Sequence, residues 1–278
     1  MHYTVGRSSP TQAQTCAILA IEDACFGESA LSPSRAMALF MRPEHRLYLA
    51  QGSSGQAIGF CSCFLLGANS GQRLEIDLLA VLPEWRGRGV GASLVNAAVQ
   101  GARNEGIARL RAAVRAGNTA SERAFERAGL APSVERYQLL VYAPQGSHPV
   151  PYLPAGWRDG HISRATSEVD LWSADPAPEA GAAYPYELVD QNGYVRARAR
   201  VASVHTLSGP SLWIEELGTE TAPLGALVAR GLVERVKRWG LAQAGMLIRE
   251  EAQNAKLETA LVAEGFERYG CFRLFQAP

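Results

Sequence analysis

The chain has 278 residues, 47 % hydrophobic and 19 % charged, which is enough apolar material for a real core and excludes a disordered, collagen-like or disulfide-scaffold protein. Lys+Arg and Asp+Glu both number 27, so the basic excess of a protein that lives on nucleic acid or an anionic membrane is absent. At roughly 150 residues per domain the length favours two domains, and the charge divides accordingly: residues 1–145 carry 14 Arg against 11 acids, and the remainder 13 Lys+Arg against 16 acids.

Tyr3–Gly6 reads as a short strand, and Thr11–Cys25 as a helix from the spacing of Cys16, Ile18, Leu19, Ile21 and Ala24. Ser32-Pro33-Ser34 is a helix start, with Ala36–Met41 as the body. His45–Gln51 and Ala57–Leu66 read as strands across a Gly52–Gly55 turn. Arg73–Val81 is a further strand after the turn Ala68-Asn69-Ser70-Gly71. Val90–Asn104 is predicted helical, Ala108–Val114 a strand, Thr119–Ala128 a helix and Ser133–Tyr142 a strand. This order describes a mixed α/β domain over residues 1–143. Pro144, Pro149, Pro151 and Pro154 stiffen residues 144–155 into an expected linker. Residues 156–278 then partly repeat the pattern. Strands are expected at Tyr186–Asp190 and Tyr194–Val204 around Gln191-Asn192-Gly193, and at Ser211–Leu217. A helix carries Leu224 to Trp239, followed by strand Ala244–Ile248, helix Ala255–Ala263 and strand Phe266–Phe275. Asn118, Phe125, Gly129 and Leu130 recur as Asn254, Leu261, Gly265 and Phe266 at a shift of 136, and Leu74–Asp77 as Leu212–Glu215 at 138. Together these point to a duplication.

The segment Leu78-Leu79-Ala80-Val81-Leu82-Pro83-Glu84-Trp85-Arg86-Gly87-Arg88-Gly89-Val90-Gly91 runs from an apolar strand through a glycine-rich turn into a helix. The first N–H groups of a helix lack internal partners and carry the positive end of its dipole, so they form an anion site. Glycines let the backbone approach a ligand closely. Arg86 and Arg88 add positive charge beside it.

Here the sequence resembles the GNAT N-acetyltransferases. Arg86-x-x-Gly89-x-Gly91 matches their Q/R-x-x-G-x-G/A signature, and Asn118-x-x-Ser121-x-x-x-Phe125-x-x-x-Gly129-Leu130 resembles their later N-x-x-A-x-x-x-Y-x-x-x-G-F segment. Ile21–Phe26 is similar to the ribosomal-protein alanine N-acetyltransferase branch. The resemblance implies a mostly antiparallel mixed central sheet flanked by helices, in two tandem copies, with acetyl-CoA as cosubstrate. The amides of Arg86, Gly87, Arg88, Gly89, Val90, Gly91 and Ala92 would hold the pyrophosphate. The backbone of Leu79 and Val81, with Ala80 between them, would pair with the pantetheine arm. Asn118, with Ser121 and Phe125 of its segment, would contact the coenzyme. Transfer would be direct, to a small-molecule amine or a protein N-terminus.

An attacking amine must be neutral. For a lysine-like amine of pKa about 10.4 that costs about 4 kcal/mol near pH 7.4, and for a peptide α-amine well under 1 kcal/mol. Glu75 and Asp77 alternate with apolar residues, so they are expected to share a strand face and to bind the amine or relay its proton. A structural pairing with arginine is the competing reading for Glu75. The family's usual tyrosine acid is here Phe125, which has no proton to give, and Tyr137 is the fallback. Cys61 and Cys63 are expected to share a strand face as reduced core residues. The five histidines show no metal-ligand spacing, so no metal is expected. In the second half the glycine turn is replaced by Glu220-Thr221-Ala222-Pro223-Leu224-Gly225. The Glu220 carboxylate would repel a phosphate, Pro223 has no N–H, and Thr221 would cap its own helix. A degenerate second copy without coenzyme is therefore expected. With no signal-like segment or membrane span, the expected setting is cytoplasmic, as a monomer or homodimer. The alternative from another class is a non-catalytic acyl-CoA sensor.

Overall fold

A computed structural model describes residues 2–27, 31–68, 71–144, 153–162, 169–171, 180–219 and 221–277. The Asn69-Ser70 turn, most of the expected proline linker and Glu220 lie outside the described residues.

The chain forms two units. The first opens with β1 (Tyr3–Arg7), α1 (Gln12–Phe26), α2 (Pro33–Phe40), β2 (His45–Gly52), β3 (Ala57–Ala68), β4 (Gly71–Val81), α3 (Val90–Asn104), β5 (Arg109–Arg115) and α4 (Thr119–Arg127). Local chemistry accounts for the helix starts. Thr11 closes a capping box, accepting from the Gln14 amide at 3.3 Å while its own amide donates to Gln14 Oε1 at 3.0 Å. Pro33 occupies the first turn of α2, where its missing N–H costs nothing. The sheet runs β1-β2-β3-β4-β5, antiparallel except for the parallel β4/β5 pair. Strand alternation sends Tyr48, Ala50, Cys61, Cys63, Leu74 and Ile76 against Leu94, Val95, Ala98 and Val99 of α3. Leu47, Leu49, Phe60 and Ala80 face Ile18 and Ile21 of α1 and Leu39 and Phe40 of α2. Each large aliphatic side chain fully buried this way contributes about 1.5–3 kcal/mol.

The second unit contains β7 (Arg158–Ile162), β8 (Val169–Leu171), β9 (Ala183–Val189), β10 (Val195–Thr206), β11 (Gly209–Thr219), α5 (Ala222–Arg238), β12 (Gln243–Arg249) and α6 (Ala255–Ala263). Its parallel pair, Ser211–Ile214 beside Gln243–Met246, repeats Arg73–Ile76 beside Arg109–Ala112 at shifts of 138 and 134. Val228, Leu232, Val233 and Val236 of α5 pack on Leu212, Ile214 and Met246.

The units are not the linear halves. The first comprises residues 1–136, 205–209 and 272–278; the second comprises 137–204 and 210–271. The boundary expected at residue 143 is thereby displaced, because the closing strands are exchanged. In β6 (Ala131–Tyr142), residues 137–142 pair antiparallel with β12 of the second unit. In β13 (Glu267–Gln276), residues 272–276 pair antiparallel with β5 of the first. Side-chain fit goes with each pairing. Phe275, fully buried, meets the Phe125 ring at 5.6 Å, and Tyr142 meets Phe266 at 5.7 Å. Residues 205–209 likewise belong to the first unit, with Leu207 buried in the α1–α2 core. Among the described residues no helix is long and apolar enough to cross a membrane.

Candidate active site

β4 ends at Val81, a 3-10 turn covers Pro83–Trp85, and α3 begins at Val90. Two glycines between them adopt left-handed torsions, Gly87 at φ +73° and Gly89 at φ +85°, which L side chains rarely accept. Gly89 is the N-cap residue of α3, so no side chain caps the helix. The amides of its first turn thus keep their donors and the dipole's positive end. They open on a cleft of about 610 Å³.

One wall of the cleft is β4, contributing Leu79, Ala80 and Val81. The ladder between β4 and β5 stops at Ile76 opposite Ala112, although both strands run on, so the two diverge beside this wall. The floor is Arg86, Gly87 and Gly89 through Ala92, and the far wall is α4 with Asn118 and Ser121. The close approach of the helices depends on small residues: a Cβ on Gly91 would lie 3.5 Å from that of Ala124. Leu79, Ala80, Val81, Arg86, Gly87, Gly89, Val90, Gly91, Ala92, Asn118 and Ser121, named from sequence, therefore converge on one cavity.

Two expected coenzyme residues lie elsewhere. Phe125 is in the core, 3 % exposed against Phe275, because its position on α4 points inward. Arg88 is outside the lining, its guanidinium 5.7 Å from the Trp85 ring centre. Arg86 lines the cleft but braces the turn, with Nε donating to Val81 O at 3.0 Å and Nη2 at 3.5 Å from Cys25 Sγ. Asn118 serves also as the N-cap of α4, accepting from the Ser121 amide at 3.2 Å. If the Phe125 side chain only packs, Phe125→Tyr is expected to lower the melting temperature by burying an unpaired hydroxyl, at about 1–3 kcal/mol, without faster turnover. Thermal melts and steady-state rates check this.

A bulge interrupts β4 beside Asp77, which stays close enough to Glu75 to feel its charge. Cys63 pairs with Ile76 and Ser62 with Leu78, leaving Asp77 as the extra residue of β4. Glu75 Oε1 is held by Arg73 and, at 2.8 Å, by Arg111, the structural ion pair that competes with a base role. Asp77 is different. Its Oδ2 is buried without a hydrogen-bond partner. Burial, reinforced by the charges of Glu22 and Glu75, pushes its pKa up to about 7. Neither carboxylate lines the cleft. Tyr137 belongs to the second unit, paired with Arg249 across β6 and β12 and hydrogen-bonded to it, so it is not part of the unit that carries the cleft. Cys61 and Cys63 are buried with their Sγ atoms 3.7 Å apart, and burial raises the Cys63 thiol well above its usual range.

Sequence reasoning assigned no role in the cleft to Cys25, Phe26, Trp85, Ala120, Arg123, Ala124 and Arg127. The i, i+3, i+4, i+7 spacing of the last four of these with Ala120 first was the available signal, since it makes one stripe of α4.

In the second unit Gly225 of α5 packs tightly against α6. A Cβ on Gly225 would lie 2.2 Å from Leu257 Cδ1, and Leu257 stands where the first half has Ser121. Pro223 sits in the first turn of α5. The expected cap by Thr221 does not form. Its side chain makes no cap hydrogen bond, and its amide donates instead to Thr219 Oγ1 at 3.3 Å. Asn254 donates to Arg249 O at 2.9 Å rather than capping α6.

The profile of the Acetyltransferase (GNAT) family matches residues 16–130. No curated protein matches the chain in sequence. Among solved structures, a GCN5-related N-acetyltransferase from Sphaerobacter thermophilus is similar over 99 % of this chain and 95 % of its own, at 14 % identity and a TM-score of 0.63. A tandem GNAT protein from the clavulanic acid biosynthesis pathway is similar over 99 % and 98 %, at 16 % identity and a TM-score of 0.57. Residues 16–130 are thus a GNAT acetyltransferase domain, in a chain whose two halves repeat the GNAT-like fold.

Proposed function

We propose that the chain is a cytoplasmic N-acetyltransferase that moves the acetyl group of acetyl-CoA to a primary amine, of a small molecule or a protein N-terminus. The observation that carries this reading is the α3 start. A helix whose N-cap has no side chain meets a diverging strand edge in one cleft, which suits a diphosphate joined to an extended amide-bearing arm. When bound, acetyl-CoA supplies a thioester whose leaving thiolate, with a free-thiol pKa of about 8.5, departs without obligatory acid assistance. The amides of residues 87–92 hold the phosphates, and β4 from Leu79 to Val81 offers backbone groups to the arm. Asp77 does not line the cleft, so its part is to take the amine's proton through water, for which a carboxyl with a pKa of about 7, half ionised near neutrality, is suited. The second unit is a copy without coenzyme, a reading supported by Pro223 in the first turn of α5 and by Leu257 standing against Gly225.

A second reading, a non-catalytic acyl-CoA sensor, is favoured by the absence of a tyrosine or histidine among the described residues lining the cleft. Release of free coenzyme thiol from acetyl-CoA, followed with a panel of α-amines and lysine-like amines, separates the two. Amine-dependent release is expected. Binding without release for any amine would favour the sensor.

A further inference from the structure

The stripe of α4 that faces the cleft is Ala120, Arg123, Ala124 and Arg127. Two of these are as small as a side chain can be without glycine; the other two are exposed arginines. Neither arginine has an ion-pair or hydrogen-bond partner among the described residues, and their helix neighbours Glu122 and Glu126 form no pair with them. The first unit treats several other arginines differently. Arg7 and Arg46 share Glu105, while Arg73 and Arg111 share Glu75. Within the cleft region, Arg86 is committed to Val81 O and Cys25, and Arg88 lies over Trp85. The uncommitted positive charge of the cleft is therefore concentrated on α4. Arg127 in the last turn also complements the helix dipole, but Arg123 is too far from that end for the same account to cover it.

We propose that Arg123 and Arg127 bind the 3′-phosphate of coenzyme A and make the cleft selective for the 3′-phosphorylated coenzyme over dephospho-coenzyme A. This rests on the coenzyme reading given above. A diphosphate at the α3 start is met by amides and leaves the two guanidiniums unused. Coenzyme A carries one further anionic group, a phosphate monoester that is largely dianionic at neutral pH. Residues four apart on a helix are neighbours, about 6 Å along the axis, which lets two guanidiniums grip one phosphate from either side.

The test titrates the full chain with coenzyme A and with dephospho-coenzyme A at one fixed ionic strength, for the wild type, Arg123→Gln and the double variant Arg123→Gln/Arg127→Gln. The wild type is expected to prefer coenzyme A by about tenfold or more, as one or two charge-assisted hydrogen bonds would give. The single variant should keep a reduced preference. The double variant should bind both ligands within about twofold of each other, its affinity for dephospho-coenzyme A unchanged. Equal wild-type affinity for both ligands overturns the proposal while leaving the acetyl-CoA reading intact, and needs no variant. Equal weakening of both ligands in the double variant also overturns it, since that is a diffuse charge effect. Failure of the wild type to bind either ligand overturns both this assignment and the proposed function.

Discussion

Gly91→Asp is expected to abolish acetyl-CoA binding while leaving the melting temperature unchanged or slightly raised. Gly91 does not have a left-handed φ, and an added Cβ meets only ordinary contacts, at 3.5 Å from Ala124 and 3.9 Å from Leu79 and Val81. An aspartate in the first turn of α3 replaces a poor helix former and complements the dipole, each worth some tenths of a kcal/mol to the fold. For the ligand the same carboxylate is doubly adverse. It occupies space beside the phosphates and competes for the amides they need. Loss of two charge-assisted bonds of about 1.5–3 kcal/mol each corresponds to at least a hundredfold in affinity. Gly89→Asp should also abolish binding but confounds the result, because φ +85° adds backbone strain of about 1 kcal/mol or more for any L side chain. Thermal melts alongside equilibrium binding check the prediction. A Gly91→Asp protein that binds normally contradicts the site assignment.

Asp77→Asn is expected to stabilise the protein at pH 8 and to slow it. The folded-state pKa of Asp77 is about 7 against 3.8 for an ordinary aspartate, so folding takes up a proton between those values. For a group raised in this way, stability is fullest below about pH 4, falls as pH rises to about 7, and stays low above it. The neutral Asn variant escapes the penalty. It should match the wild type near pH 4 and exceed it by about 3–4 kcal/mol at pH 8, as read from urea denaturation at both pH values. Turnover should move the other way. The wild-type rate with a lysine-like amine should rise through about pH 7 as Asp77 ionises. The variant should be at least about a hundredfold slower at pH 7.5, recovering towards high pH where the amine sheds its proton unaided. An unchanged rate and pH profile would remove Asp77 from the chemistry, and a variant destabilised at pH 8 would contradict its burial as a charge.

The cradle was legible in the sequence because everything that makes it is local. Val90–Asn104 is helical over the expected bounds, and the glycines that open the anion site lie within a dozen residues of the strand that feeds it. What escaped depends on pairing between distant segments. The bulge at Asp77 is one such feature: whether a strand holds a bulge is decided by its neighbour's register, here the shift at Ser62 and Cys63 of β3. Ser133–Tyr142 and Phe266–Phe275 both read correctly as strands, yet nothing within either says which unit it closes. Tyr137 therefore looked like a neighbour of the cleft and is not in its unit. The second copy was read as silent from Glu220, Thr221 and Pro223. Of these, Thr221 does not cap, and the contact of Leu257 with Gly225 comes from another helix and becomes visible only when α5 and α6 are packed.

The central claim is that one cleft, at the start of α3, binds acetyl-CoA. Calorimetric titration of acetyl-CoA into the wild-type chain tests it most directly. Saturable heat with one site per chain, lost in Gly91→Asp, is the expected result. No heat at all, two equivalent sites per chain, or a single site that survives Gly91→Asp would contradict it.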